Sequence, residues 1–179
     1  MMPSRLALLL LVLVVSCARA ATLELMTLEE MVRQSTAIVR ARAGESRTVR
    51  SGALLYTVTQ LEVLEQWKGT AVSQLEVSAP GGRLGQLSQR FGGVPRLQPG
   101  SSYVAILWQG PSGRIHIIGL SQGLFKVRAK ADGQLLLSRN PSSDLMLSPV
   151  SGQPVQAAPL AMPLEHFRDR VRSLVGKER

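Results

Sequence analysis

The sequence predicts a mainly β fold: an antiparallel sheet or small closed barrel, with a short helix before it and a second helix after it. Between residues 37 and 138 apolar and polar residues often alternate with a period of two, which is typical of half-buried strands. Turn signals such as Ser51-Gly52 and Asp132-Gly133 separate these segments. No βαβ spacing is present, so we expect hairpin connections rather than parallel crossovers.

The start of the chain has the order of a secretory signal peptide. A basic segment, Met1–Arg5, precedes an apolar run, Leu6–Val15, and small residues follow at Ala18-Arg19-Ala20. The apolar run is shorter than the roughly 20 residues that a membrane span needs. We therefore predict that residues 1–20 are removed, that the mature chain begins at Ala21, and that it is secreted or periplasmic.

An alternative for this leader is a lipobox, Val14-Val15-Ser16-Cys17. Acylation of Cys17 would make the protein lipid-anchored, and only then would a membrane be a partner. Cys17 is the only cysteine, so the mature chain cannot form an internal disulfide bond. The fold must then be held together by one apolar core, for which the 159 residues from Ala21 onward suffice.

The elements follow in order from local patterns. Thr27 and Glu30 form a capping box, and apolar residues behind them predict a short amphipathic helix. The alternation over Ala37–Ala43 predicts a strand with arginines on its outer face. A longer strand, Leu54–Gln66, loses its alternation midway, which predicts a β-bulge. Further strands are predicted at 75–79, 102–109, 114–120, 125–130 and 134–138, with one short strand near 84–89 inside a Gly-rich excursion, 81–100.

The last part of the chain is predicted to leave the β domain, which spans residues 21–139. Residues 140–162 are rich in Pro, Ser and Gln and lack a period, so we expect a surface loop. Residues 163–179 begin with a proline and carry Leu164, Phe167 and Val171 on one face. This segment is predicted to be an amphipathic helix packed on the barrel.

Several segments resemble netrin-like modules, the fold shared with the tissue inhibitors of metalloproteinases. Ser35–Ala43 resembles their first strand, Tyr56–Gly69 their second strand with its Lys-Gly turn, and Leu97–Leu107 a later strand. The layout is also similar to that of small secreted bacterial proteins of undefined function, which have segments like Pro80-Gly81-Gly82 and Gly123–Val127. The resemblance covers Thr27 to Val127 and implies an OB-type barrel of five strands.

The inhibitory chemistry of that family does not transfer to this sequence. Those inhibitors chelate the protease zinc with an N-terminal cysteine that disulfides hold in place. Here Ala21-Thr22-Leu23 takes that position, and no disulfide can form. An inhibitor or accessory protein of a secreted protease therefore stays an alternative function that the resemblance alone implies.

Residues suited to catalysis are few. The two histidines, His116 and His166, have no other His or Cys at metal-ligand spacing. A Ser–His–Asp triad through His116 stays open because triads assemble in space, but no Gly-x-Ser-x-Gly motif accompanies it. We predict a non-enzymatic binding module for a protein partner, with no catalytic residue, no metal and no cofactor.

The net charge is strongly positive, with 21 Lys+Arg against 12 Asp+Glu. Such a charge attracts anionic partners, so a binder of polyanions or of anionic envelope surfaces is a further alternative. If their strands are neighbours, five outward cations would form one basic patch: Arg40, Arg42, Lys126, Arg128 and Lys130. No aromatic residue alternates with them, so a solvated charged face is favoured over a nucleic-acid site.

The Gly-rich excursion is the predicted binding loop. It is longer than the usual hairpin loop of about 2–5 residues, and it carries apolar side chains that a solvated loop does not need. The candidate binding residues are Arg83, Leu84, Leu87, Phe91 and Val94. The alternative is that these side chains fold back and cap an open end of the barrel.

Overall fold

The computed structural model describes residues 22–140 and 145–177, within which the chain forms thirteen strands and two helices. The predicted signal peptide and Cys17 lie outside these residues. The mainly β class, the short N-terminal helix and the C-terminal helix are confirmed. The elements are β1 (Thr22–Glu24), α1 (Leu28–Gln34), β2 (Ala37–Ser51), β3 (Leu54–Lys68), β4 (Gln74–Pro80), β5 (Gly82–Leu84), β6 (Leu87–Gln89), β7 (Ser102–Gln109), β8 (Ile115–Ile117), β9 (Leu124–Ala129), β10 (Leu135–Arg139), β11 (Leu145–Leu147), β12 (Pro154–Val155), β13 (Leu160–Pro163) and α2 (Leu164–Gly176).

The first helix starts at the predicted capping box. The Thr27 hydroxyl accepts a hydrogen bond from the Glu30 N–H at 3.2 Å, and the Glu30 carboxylate accepts one from the Thr27 N–H at 2.9 Å. Met31 and Val32 are buried on the side of this helix that packs against the sheet. The local pattern therefore determines both where α1 begins and which side it buries.

Five strands close into a ring in the order β7, β2, β3, β4 and β8, because β8 pairs with both β4 and β7. The β4–β8 contact is parallel and has one registered pair, Val77 with Ile115. Every strand of the ring contributes to one buried cluster, so this cluster fills the inside of the ring. The inner cluster consists of Val39, Ala41, Ala43, Leu61, Val77, Tyr103, Ala105, Leu107 and Ile117.

A second buried cluster lies on the outside of the ring, where β9 and β10 continue the sheet beyond β7 and the two helices cover it. Phe167 of α2 is 2% exposed, and its ring centroid lies 4.7 Å from that of Phe125 and 6.4 Å from that of Trp67. The outer cluster consists of Met31, Val32, Ile38, Trp67, Val104, Ile106, Ile118, Phe125, Val127, Leu137, Leu164, Phe167 and Val171. The apolar stripe of α2 thus attaches the C-terminal helix to the outside of the sheet.

β3 has a bulge within the predicted strand, but at the midpoint the irregularity lies in its partner strand. Arg40 faces Glu65 whereas Ala41 faces Val63, so Leu64 is the extra residue of the bulge in β3. Ala43 faces Leu61 whereas Ser46 faces Thr59, so the extra residue at this level belongs to β2. Val58 and Leu61 lie on opposite faces of β3, and they are 4% and 0% exposed. The alternation is lost because β3 is buried on both faces here.

Within residues 140–162, which were predicted to be a surface loop, the structure has three short strands. β11 pairs in parallel with β1, with Thr22 opposite Leu145, and β12 pairs with β11. β13 adds to the main sheet beside β10, with Leu137 opposite Met162. These strands have 2 to 4 residues each, too few to show a period, and they form because distant strands supply their hydrogen-bond partners.

The C-terminal helix begins one residue later than predicted, because Pro163 is its N-cap and also ends β13. Neither helix of the described residues is long and apolar enough to cross a membrane.

Candidate functional site

The Gly-rich excursion contains a hairpin rather than the single short strand that was predicted. β5 and β6 pair antiparallel, with Gly82 opposite Gln89 and Leu84 directly opposite Leu87. The turn uses Gly85, whose φ of +59° lies in the left-handed region that glycine adopts without strain. The predicted binding residues Leu84 and Leu87 are therefore neighbours at the tip of this hairpin.

Four hydrogen bonds anchor the base of the hairpin to the β2–β3 end of the ring. The Gly81 N–H donates to the Leu55 carbonyl at 2.7 Å, and the Thr57 hydroxyl donates to the Gly81 carbonyl at 2.9 Å. The side-chain amide of Gln89 accepts a hydrogen bond from the Leu55 N–H at 2.7 Å through Oε1 and donates one to the Ala53 carbonyl at 2.8 Å through Nε2. The excursion is thus held in place at its base by the sheet.

Gly81 is needed at this junction. Its φ is +95°, and a Cβ there would lie 2.9 Å from the carbonyl oxygen of Gln89. No other residue type fits this close approach without moving the hairpin.

Three apolar side chains of the excursion are exposed to solvent, whereas Leu97 packs against the inner cluster. Leu84, Leu87 and Phe91 are 43%, 52% and 46% exposed, and we call these three residues the apolar group. Val94 is half-buried. The exposure of the apolar group does not fit the alternative in which these residues cap the ring as core side chains, because core residues are almost fully buried.

A groove of about 810 Å³ separates the excursion from the end of the ring. Its lining includes three arginines, Arg83, Arg90 and Arg96, and one carboxylate, Glu45. Within residues 22–140 and 145–177, none of the three arginines forms an ion pair. Hydroxyl groups line the opposite wall, from Ser46, Thr48, Thr57 and Thr59.

The predicted basic patch does not form a single surface. Strand β7 lies between β2 and β9, so the two sets of cations are not on neighbouring strands. On one face of β7, Val104 pairs with Arg40 of β2 and with Phe125 of β9, and Val104 and Phe125 belong to the outer cluster. On the other face of β7, Tyr103 of the inner cluster pairs with Lys126. Cross-strand partners share a face, so Arg40 and Lys126 project to opposite sides of the sheet.

Individual members of that set also have local partners. Arg40 pairs with Glu65 at 2.8 Å, and Arg42 pairs with Glu62 at 3.3 Å. The ammonium groups of Lys126 and Lys130 donate to the side chains of Gln98 and Gln134, both at 3.0 Å, while Arg128 is exposed. Carboxylates therefore compensate the charges of Arg40 and Arg42, whereas Lys126 and Lys130 donate to neutral amides, which do not compensate their positive charge.

Glu65 is the centre of the largest of these networks. Burial raises the pKa of the Glu65 carboxyl. Hydrogen bonds from the Trp67 indole and the Arg40 guanidinium, together with the charges of Arg40 and Arg168, lower the pKa by more than burial raises it. The pKa of Glu65 is therefore below its ordinary value. Arg168 of α2 lies 3.9 Å from this carboxylate. The ionised Glu65 therefore links β2, β3 and α2.

A second candidate site surrounds His116, the histidine for which the sequence left a Ser–His–Asp triad open. The Nδ1 atom of His116 lies 2.8 Å from the carbonyl oxygen of Ser78. The ring centroids of Trp108 and Tyr56 lie 5.6 Å and 6.3 Å from that of His116, and the Arg114 guanidinium lies 4.7 Å from the Tyr56 centroid. No local sequence pattern predicts this cluster, because its residues lie on three strands, β3, β7 and β8, which meet only in the folded chain.

These aromatic residues line a pocket of about 530 Å³. The N-terminal segment forms its other wall, and the carboxylates in its lining are Glu24 and Glu30. Among the described residues, no group of three or more His, Cys, Asp and Glu side chains is arranged to hold a metal ion. In comparisons with known proteins, no family model, no curated protein and no solved structure matches this chain.

Proposed function

We propose that this protein is a secreted or periplasmic binding module that engages a protein partner through the excursion and acts without catalysis. The observation that carries the proposal is the apolar group, Leu84, Leu87 and Phe91, which a solvated loop has no reason to display. Exposed apolar side chains on an anchored loop are typical of protein interaction sites. The secretory leader pattern supports the location outside the cytoplasm.

We further propose that the ring is an OB-type, netrin-like barrel. Support comes from the closure of five strands around one apolar cluster and from the helix that precedes the first strand of the ring. In such a barrel the walls are occupied by packing, so binding falls to the loops at the ends.

The charges beside the apolar group define the partner more closely. Arg83, Arg90 and Arg96 line the adjoining groove against a single carboxylate, Glu45. A surface that presents apolar side chains bordered by carboxylates would complement this region, since charge complementarity speeds association and excludes wrong partners. The proposed occupant is therefore an acidic, partly apolar surface of another protein.

The test is affinity capture with the mature chain as bait from the secreted or envelope fraction, comparing variants rather than counting captured proteins. The Leu87→Asp variant should lose at least about tenfold in capture of its specific partner, because the change places a charge in the apolar group. Val150→Asp is the matched control, since Val150 is apolar and 94% exposed but lies outside the excursion. Equal capture by both variants would remove the excursion from the binding surface.

A binder of polyanions is the second candidate, and the three arginines without ion pairs favour it. A heparin column and vesicles of anionic lipid separate this function from protein binding. If the triple variant Arg83→Gln, Arg90→Gln, Arg96→Gln loses retention while Leu87→Asp keeps it, the primary function is polyanion binding. Protein binding predicts that Leu87→Asp also weakens capture at constant salt concentration.

A further inference from the structure

The pocket beside His116 is assembled from parts of the chain that the excursion does not use. It lies between the N-terminal segment, which includes Glu24 and Met26, and the ring strands that carry Trp108 and His116. Its volume of about 530 Å³ falls within the range of roughly 300–1,000 Å³ that small-ligand sites occupy. The pocket is therefore large enough for a small organic group.

One wall of this pocket is fixed by a buried side chain. Gln122 is 2% exposed, accepts a hydrogen bond from the Met26 N–H at 2.9 Å, and donates one to the Glu24 carbonyl at 2.8 Å. The neighbouring lining residue Leu120 has a φ of +56°, a conformation that costs energy for a leucine. Gln122 thus holds the N-terminal segment in a defined position at this wall of the pocket.

Among the described residues of the lining, the charged ones are all acidic, although the whole chain has a formal net charge of +9. Glu24 and Glu30 line the pocket, and no lysine or arginine is found among the described lining residues. Both hydrogen bonds that Thr27 donates to the Glu30 carboxylate end on Oε2. The pKa of Glu30 is held below its ordinary value by those bonds, so the carboxylate is ionised at neutral pH.

The aromatic walls suit a cation as well. Trp108 is 38% exposed, and indole faces attract ammonium and guanidinium groups. The same cluster already binds a cation of the chain itself, because Arg114 stacks on Tyr56. His116 adds an acceptor: its Nδ1 donates to the Ser78 carbonyl, so in the neutral imidazole Nε2 holds the lone pair.

We propose that this pocket binds an organic cation, an ammonium or guanidinium group on an apolar or aromatic body. Such a cation would be supplied either by a free amine or by a lysine or arginine side chain of a peptide. The carboxylates select the charge, Trp108 contacts the body, and the Nε2 atom of His116 accepts a hydrogen bond. This site is independent of the partner surface proposed for the excursion.

The test is a titration of the full mature chain followed by the two indole N–H signals in ¹H–¹⁵N NMR spectra. Benzylamine is the first probe, and benzyl alcohol is its neutral counterpart of the same shape. Benzylamine should shift the signal of Trp108 and leave that of Trp67 in place, because Trp67 lies in the outer cluster. Benzyl alcohol should bind at least about fivefold more weakly, which corresponds to roughly 1 kcal/mol.

Variants assign the charge dependence. The double variant Glu24→Gln, Glu30→Gln should weaken benzylamine binding at least about fivefold, and it keeps the capping box because glutamine also serves at that position. Glu45→Gln is the matched control, since Glu45 lines the other groove. Trp108→Leu, which removes a side chain that is 38% exposed and with it the reporting indole, should also weaken binding when the titration is followed through the backbone amide signals of the lining residues.

The outcomes separate the proposal from its rivals. No shift of the Trp108 signal up to about 10 mM benzylamine, or equal binding of benzyl alcohol, would overturn the cation site. Nα-acetyl-lysine amide and Nα-acetyl-norleucine amide are the second pair of probes, and they represent a charged and an uncharged side chain of a peptide. Tighter binding of the lysine compound than of benzylamine identifies a peptide side chain as the source, and the reverse order identifies a free amine.

Discussion

The Nδ1 atom of His116 donates a hydrogen bond to the carbonyl of Ser78 at 2.8 Å. This bond joins β8 to β4, two ring strands that share one registered backbone pair, Val77 with Ile115. The other neighbouring strands of the ring are joined by several registered pairs each. A side-chain hydrogen bond therefore supports the weakest backbone connection of the ring.

Replacing His116 by phenylalanine should destabilise this closure. The Ser78 carbonyl would lose its donor, which costs about 1–3 kcal/mol when the group is shielded from water. Thermal unfolding and amide hydrogen exchange in β8 measure the loss. His116→Asn is the control, because its amide nitrogen occupies the same place in the side chain as Nδ1 and can donate. Equal stability of both variants and the native protein would show that the bond does not support the ring.

The stability of the protein should fall in acid because of Glu65. The folded-state pKa of this carboxyl is lowered relative to 4.5, so its contribution is present above the unfolded pKa and is lost as the pH falls through the folded pKa. Glu65→Gln should lower the free energy of unfolding at neutral pH and flatten its decline below about pH 4.5. Chemical denaturation at several pH values measures both effects.

Glu62→Gln provides the comparison for that series. The Arg42–Glu62 pair is more than half exposed on both sides, so its loss should change stability by no more than about 1 kcal/mol. If Glu62→Gln matched Glu65→Gln in size and pH dependence, the network of Trp67, Arg40 and Arg168 would not account for the effect.

Truncating Phe167 should detach the C-terminal helix. The side chain packs against Phe125 and Trp67 in the outer cluster, and removal of a core aromatic costs about 3–5 kcal/mol. We expect Phe167→Ala to lower the melting temperature strongly and to raise hydrogen exchange throughout α2. Arg172→Ala, an exposed change on the same helix, should leave both measurements near their native values.

The apolar group should tolerate substitution without loss of fold. Leu87→Asp and Phe91→Ala change side chains that are 52% and 46% exposed, so each should cost less than about 1 kcal/mol. Circular dichroism melts measure this directly. A loss of about 3–5 kcal/mol for Phe91→Ala would instead place that ring in the core. It would favour the alternative in which the apolar side chains of the excursion cap one end of the ring.

The N-terminus of the protein recovered from the secreted or envelope fraction tests the predicted signal peptide. The small residues at Ala18 and Ala20 predict that the mature chain begins at Ala21, and N-terminal sequencing or intact mass reads this directly. A chain that begins with a blocked, acylated Cys17 would make the protein lipid-anchored and would contradict the free secreted form.

The elements that the sequence predicted well are those whose cause is local. The capping box of Thr27 and Glu30 defines the start of α1, and the spacing of Leu164, Phe167 and Val171 defines the buried stripe of α2. Both depend on residues within one or two turns of each other. The excursion was also singled out locally, because apolar residues in a Gly-rich segment are visible without any partner strand.

What the tertiary structure decided is which distant strands meet and on which face. The pairing of β1 with β11 and the position of β7 between β2 and β9 depend on closing the whole sheet around its apolar clusters. That choice placed Arg40 and Lys126 on opposite faces and assembled the pocket of His116 and Trp108. Periodicity determines which side of a strand is apolar, but the burial of the complete sheet selects its neighbours.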